Sequence, residues 1–214
     1  MLKNNAIGYT KALYVTDMVK GFVVEGALKD TRIAKTIPEQ IKLLEKFKRE
    51  RQFIGLIRDT HTLNSAEFAK NTFPVHCLEG TSESEIVNEL NPYIDYASIY
   101  HKNSTSAIFA PNLMSDIKSM PNLVEVVGVG CCTDICILNF LIPLKNSFNQ
   151  DDNIVNVFVV KNATETFDIP EVHEAEYYNK ISYQLMAQAG IIVVENFEEL
   201  EQKEEELGLT LKNR

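Results

Sequence analysis

The sequence predicts an α/β protein: a three-layer α/β/α fold whose six-stranded parallel sheet, in Rossmann-like order 3-2-1-4-5-6, carries helices on both faces. Two observations predict it. Apolar, β-branched runs alternate with helical patterns six times along the 214 residues, which means βαβ crossovers and a parallel sheet covered on both sides. No internal repeat or low-complexity linker interrupts the alternation, so a single domain over 1–214 is expected.

The elements follow in order. "ALYVTD" (12–17) is a short strand ending on an acid. "IPEQIKLLEKFKRER" (37–51) places apolar residues at 41, 43, 44 and 47, with Pro38 where a helix begins. "FIGLIRD" (53–59) is the second strand. "SESEIVNEL" (82–90) reads as a short helix with a Ser82–Glu85 capping box. "YASIYHK" (96–102) is the third strand and "APNLMSDIKSM" (110–120) a weak helix. "LVEVVGVG" (123–130) is the fourth strand, followed by a helix over 133–148. "NIVNVFVVK" (153–161) is the fifth, followed by a helix over about 170–189. "GIIVVEN" (190–196) is the sixth, and "FEELEQKEEELG" (197–208) closes the chain as a charged helix with a solvated face. The stretch of about 60–95 is mostly irregular, and a segment that long in a compact domain is usually functional.

Composition narrows the classes of function. Hydrophobic residues are 45% and charged residues 24%, enough for a packed core. A formal net charge of -9 argues against nucleic acid and anionic membrane as partners. No apolar run nears the roughly 20 residues of a membrane span. The start, "MLKNNAIGYTKALYVTD", shows no signal-peptide h-region or cleavage site. A cytoplasmic setting is therefore expected, with the four cysteines free rather than paired.

The polar residues then converge. Asp17 ends strand one, Asp59 strand two and Lys102 strand three, and "GCCTDIC" (130–136) follows strand four. In an open parallel sheet, ligands bind outside the carboxyl ends of the strands. Taken singly, Asp17 reads as a helix cap, Lys102 as a surface lysine, and Cys131 and Cys132 as packing thiols. Their coincidence at one edge favours chemistry. Cys136 is the best nucleophile, because unpaired N–H groups and the dipole at a helix start lower a thiol pKa. A thiolate there attacks a carbonyl while backbone N–H groups hold the oxyanion. Asp17 takes the thiol proton, and Lys102 holds the two charges in register. His101 and His173 receive no role.

A second constellation suits a metal. "DTH" offers Asp59 and His61, "FPVHCLEGT" offers His76, and Glu67 lies on the same loop. Two imidazoles and a carboxylate with open positions fit zinc, iron or manganese. The alternative is a local Asp59–His61 hydrogen bond with His76 as a loop anchor. Cys77 adjoins His76, but adjacent side chains seldom point the same way.

These residues resemble the isochorismatase-like cysteine hydrolases, and within them the nicotinamidases (pyrazinamidases), from "YVTDMVKGF" to "IIVVENFEEL". The family's Thr-Asp-x-Cys motif matches "TDIC". Its strand-ending acid and lysine match Asp17 and Lys102. The nicotinamidase branch's Asp-x-His and Pro-x-His-Cys-x-x-Gly-Thr match "DTH" and "PVHCLEGT". The resemblance implies a triad of Asp17, Lys102 and Cys136, and oxyanion donors in the backbone N–H groups of Cys132 and Cys136. It also implies a cis peptide at Cys131–Cys132. The implied metal ligands are Asp59, His61 and His76, with Glu67 as a further one, and Phe22 and Phe73 match the aromatics that sandwich the substrate ring. The implied reaction is the deamidation of nicotinamide to nicotinate and ammonia, through a thioester and with one divalent metal ion, most readily zinc, in NAD salvage. Thr60, Thr62, Thr105 and Phe73 depart from the family's usual residues, which reshapes the pocket wall.

Two rival readings remain at this level. One is a metal-free amidase or isochorismatase-type hydrolase acting on another small amide or vinyl ether. The other is a binding module or regulatory pseudoenzyme. The oligomeric state stays open, a homo-oligomer included, and the Cys131 sulfur has no assigned role.

Overall fold

The computed structural model describes residues 8–71 and 73–210; the remaining parts of the expected 1–214 domain, and the first residues of the chain's start, lie outside the described residues. Among the described residues, six strands form one sheet: β1 (Lys11–Thr16), β2 (Phe53–Asp59), β3 (Ser98–Lys102), β4 (Glu125–Cys131), β5 (Asn156–Glu165) and β6 (Ile192–Val194). Their order is β3-β2-β1-β4-β5-β6 and every pairing is parallel. The helices are α1 (Lys20–Val23), α2 (Thr31–Ala34), α3 (Ile37–Arg49), α4 (Asn91–Ile94), α5 (Leu113–Lys118), α6 (Leu138–Gln150), α7 (Ala175–Gln188) and α8 (Phe197–Glu206). None is long and apolar enough to cross a membrane.

The two-residue period of a strand sends alternate side chains into two cores. From β1, Leu13 and Val15 pack with Leu43, Leu44 and Phe47 of α3 and Leu200 of α8. Ala12 and Tyr14 face the other way, onto Ile117 of α5, Phe140 and Leu144 of α6 and Met186 of α7. β1 is therefore covered on both sides, which is why it reads as a hydrophobic run.

Two expected elements differ. The stretch 82–90 is not a helix with a capping box. Short 3₁₀ turns at Ser82–Ser84 and Asn88–Leu90 flank extended chain. The Glu85 carboxylate pairs with Lys20 at 2.6 Å instead of capping, and the Glu85 carbonyl accepts from the Lys20 N–H. Tertiary pairing with α1 has overridden a local signal. The closing helix α8 is not simply a solvated face either. Leu200 and Glu204 are fully buried, and Glu204 bonds Lys46 at 2.7 Å and Lys11 at 3.0 Å.

β1 and β4 lie side by side at the point where strand order reverses, and crevices form there at the carboxyl edge. Close approach is enforced at Gly130, where φ is +117° and a Cβ would come within 2.0 Å of the Thr16 carbonyl. The residue after β1, Asp17, takes φ 56°, a left-handed conformation that Asp tolerates better than most side chains. The Cys131–Cys132 peptide is cis, as the resemblance implied.

Candidate active site

Lys102 is the hub of the carboxyl edge. The last residue of β3, it is almost wholly buried. Its Nζ lies 2.8 Å from Asp17 Oδ2, 2.8 Å from Asp59 Oδ1 and 3.6 Å from Cys136 Sγ. A buried ammonium is costly unless compensated. Here the two carboxylates compensate it and hold its pKa well above the usual lysine value, against the pull of burial. Asp17 behaves oppositely: burial pushes its carboxyl up to about 6 although Lys102 pulls it down.

Cys136 follows β4 in a single π-type turn, Thr133–Ile137, that runs into α6. The Cys132 carbonyl accepts from the Ile135 and Ile137 N–H groups and curls the turn. The expected depression of the thiol pKa is not found. Burial pushes Cys136 well above the usual thiol value, and the charges of Asp17 and Asp59 add to that while Lys102 opposes it. Desolvation and two carboxylates outweigh the Lys102 ammonium at this sulfur. The resting group is a thiol, so it needs a base beside it.

The metal-like residues also converge. Asp59 Oδ2 lies 3.0 Å from His61 Nε2 and 3.2 Å from His76 Nε2, and one ligand atom from each residue falls within 4.8 Å of the others. His76 Nδ1 donates to the Pro74 carbonyl at 2.8 Å, and His61 Nδ1 faces Asn103 Oδ1 at 2.9 Å. A ring that donates from Nδ1 leaves Nε2 as a lone pair, so both imidazoles aim acceptors at a carboxylate. His61 Nε2 is buried with no hydrogen-bond partner. Three acceptors so crowded repel one another, and a divalent cation among them would satisfy all three. The residues fit a metal, and zinc, iron or manganese suits their chemistry. Glu67 stands farther off, 3.8 Å from His61, its other oxygen accepting from the Thr105 N–H at 2.6 Å.

Both constellations open on one cavity, lined by Phe22, Phe73, Glu67, His76, Thr105, Cys132, Cys136 and Phe167 among others. A larger cavity, about 580 Å³, lies at the opposite edge of the sheet between α5 and α6 and holds none of these groups. Phe22 and Phe73 flank His76, with ring centroids 5.6 and 6.1 Å away. Of the departures noted in the sequence, Phe73 and Thr105 line the cavity. Thr60 does not line it; its hydroxyl faces His101. Thr62 is exposed and also lies off the wall.

The remaining cysteines find places. The Cys131 thiol donates to the Asp17 carbonyl at 3.2 Å, tying β4 to the end of β1. Cys77 turns away from the histidines, its sulfur against Gly21 of α1. His101 is exposed and accepts from Arg58. His173 is buried, bonded locally to Asp134 and the Phe167 carbonyl, and stacked between Phe167 and Tyr178.

Sequence reasoning missed Phe68, whose ring packs 5.0 Å from His61, and Asn103, which orients His61. It also missed Phe167, just past the end of β5. The signal for Phe167 was present, since β5 ends at the same edge as the other strands.

A family model, "Isochorismatase domain", matches residues 11–195. The chain belongs to the isochorismatase domain family. The family assignment accounts for the strand order. Among curated proteins, Nicotinamidase 1 of Arabidopsis thaliana is 26% identical over 174 residues, 74% of this chain and 70% of that protein. Among solved structures, the pyrazinamidase of Pyrococcus horikoshii in complex with zinc matches with a TM-score of 0.70 at 23% identity. That match covers 87% of this chain and 99% of the other. The N-carbamoylsarcosine amidase from Thermoplasma acidophilum matches with a TM-score of 0.69 at 22% identity, covering 87% and 96%. At such identities the structural matches establish the fold within the family.

Proposed function

We propose that the protein is a metal-assisted cysteine amidohydrolase that converts nicotinamide to nicotinate and ammonia. The observation that carries this reading is the position of Asp59. One of its oxygens holds Lys102, beside the Cys136 thiol, and the other faces the two histidines. Nucleophile and ligand set thus share one carboxylate and one aromatic-lined cavity. Similarity to a nicotinamidase supports the substrate.

Asp17 takes the Cys136 proton, and its raised pKa suits a base that must later act as an acid. The Cys136 sulfur bonds to the carboxamide carbon. The backbone N–H groups of Cys132 and Cys136 hold the oxyanion. The C–N bond breaks as Asp17 returns its proton to the leaving nitrogen, which departs as ammonia. Water, deprotonated by Asp17, then cleaves the thioester, releasing nicotinate and restoring the thiol. Lys102 keeps carboxylate and sulfur in register throughout. Phe22 and Phe73 face the pyridine ring. A divalent ion on Asp59, His61 and His76, most readily zinc, with Glu67 as a further ligand, would anchor and polarise the ring nitrogen. Nicotinate would enter pyridine-nucleotide biosynthesis. Four free cysteines fit a reducing, cytoplasmic setting.

Ammonia release from a panel of pyridine and aliphatic amides, with metal analysis of the same sample, tests the reading. Nicotinamide and pyrazinamide should lead the panel, and Asp59→Ala or His76→Ala should lose both metal and nicotinamide binding. Undiminished nicotinamide hydrolysis by metal-depleted enzyme would exclude the metal's part in it. A preference for aliphatic amides would move the substrate elsewhere.

A further inference from the structure

The loop between β5 and α7 contains a buried histidine that the mechanism above does not use. His173 is 9% exposed. Its Nε2 lies 2.8 Å from Asp134 Oδ2, and its Nδ1 lies 2.9 Å from the Phe167 carbonyl. Both partners are acceptors, so each ring nitrogen that bonds them does so as a donor. Asp134 Oδ1 also accepts from the Thr166 hydroxyl at 2.6 Å. The same ring is the middle of a three-ring stack, with centroids 4.0 Å from Phe167 and 3.9 Å from Tyr178.

The two ends of this arrangement reach the site by different routes. Asp134 belongs to the π-type turn and precedes Cys136 by two residues. Holding its carboxylate holds the turn whose sulfur must stay on Lys102. Phe167 lines the cavity beside Cys132 and Cys136, so the stack sets where that wall stands.

We propose that His173 is a positioning residue with two separable effects: through Asp134 it fixes the nucleophile turn, and through its stack on Phe167 it fixes the wall that receives the substrate ring. The first effect governs the rate of the chemical step, and the second governs binding. Neither requires His173 to touch the substrate. The proposal rests on the amidohydrolase reading of the same site.

Two variants separate the effects. His173→Phe keeps a ring in the stack and loses both N–H bonds, to Asp134 and to the Phe167 carbonyl. His173→Gln keeps an N–H donor and loses the stack. Loss of a hydrogen bond to a charged group is worth roughly tenfold or more, so His173→Phe should lower kcat by about that factor with KM little changed. Loss of the stack should raise KM several-fold in His173→Gln with kcat nearly retained, because aromatic contacts carry roughly a factor of 2–10. Asp134→Asn should follow His173→Phe, which keeps the test available if one variant fails to fold. Equal loss in the same parameter for both His173 variants, the reverse split, or no change in either would overturn the proposal.

A second readout needs no turnover. Release of the turn uncovers the buried Cys136 sulfur to a reagent in solution. Alkylation of Cys136 by iodoacetamide, followed by mass spectrometry, should therefore quicken several-fold in His173→Phe and stay near wild type in His173→Gln. If the wild type hydrolysed no amide, the functional reading would fall, and the alkylation ratio would still decide the role of His173. Equal alkylation in the two variants would overturn it.

Discussion

The two ends of β1 hold the same ingredients arranged to opposite ends. Past its carboxyl end, Lys102 lies buried between Asp17 and Asp59. At its start, Lys11 lies buried between Glu125 and Glu204, at 3.1 and 3.0 Å. In the second cluster Lys46 also bonds Glu204, at 2.7 Å, and reaches the more exposed Glu201 and Glu50 at 3.1 and 3.7 Å, and α8 closes over the two buried carboxylates. In the first, one lysine meets two carboxylates, and the surplus negative charge faces two imidazoles, a thiol and a cavity. An ion cluster covered by a helix is a structural joint; one lysine between two carboxylates beside a cavity has capacity left for a cation and a substrate. Burial and distance alone do not separate them.

The sharpest way to break this contrast is Cys136→Ala. It should lower kcat by about 10⁴-fold or more, the scale of a lost nucleophile, and leave the unfolding midpoint near that of the wild type. Cys132→Ala should keep most activity, because the proposed role uses only its N–H. An active Cys136→Ala beside a dead Cys132→Ala would put the nucleophile on the wrong sulfur.

At the other end, Lys11→Met should cost about 3–5 kcal/mol of stability, since it strands buried carboxylates. Its kcat/KM per folded molecule should be unchanged. Urea unfolding and active-site titration by Cys136 labelling supply the two numbers. A catalytic loss without a stability loss would erase the distinction between the clusters.

A smaller effect tests what the surplus charge is for. Phe73→Ala should reduce kcat/KM for nicotinamide by about 1–3 kcal/mol, the scale of apolar burial and stacking. Discrimination against benzamide, which lacks the ring nitrogen, should persist in that variant. Equal kcat/KM for the two amides on the wild type would remove the ligand set from substrate recognition.

The smallest effect is a pH signature of the structural cluster. Burial pushes Glu125 up to about 8, although Lys11 pulls it down. Its folded pKa is thus above the unfolded carboxylate value. The stability this proton carries is complete below the unfolded value and is lost as pH rises through about 8. Wild-type stability should therefore fall by on the order of 1 kcal/mol between about pH 7 and 9, and Glu125→Gln should fall less. Parallel curves for the two proteins would mean that Glu125 is already ionised.

Much of the site was legible because the residues that build it end strands. Periodicity locates β1 to β4, and once they form a parallel sheet, Asp17, Asp59, Lys102 and Cys136 must share an edge. Motif spacing added His61 and His76. Phe167 was legible by the same logic, one strand further on. The thiol pKa was misjudged because a helix start is visible in sequence, whereas the depth of Cys136 beside Asp17 and Asp59 is not.

What the sequence determined by itself is therefore the sheet, its parallel sense and the residues at its carboxyl edge, because strand period and strand ends are local properties. Only the tertiary structure decided which charges are buried and which threonines face the pocket. Glu204 sits in "EELEQKEEE" among carboxylates that look alike, and it differs from them in being fully buried against Lys11 and Lys46 from distant parts of the chain. Thr60 and Thr105 differ likewise only in which way the folded backbone turns them. Such distinctions are set by contacts between distant segments, and no local pattern encodes them until those segments meet.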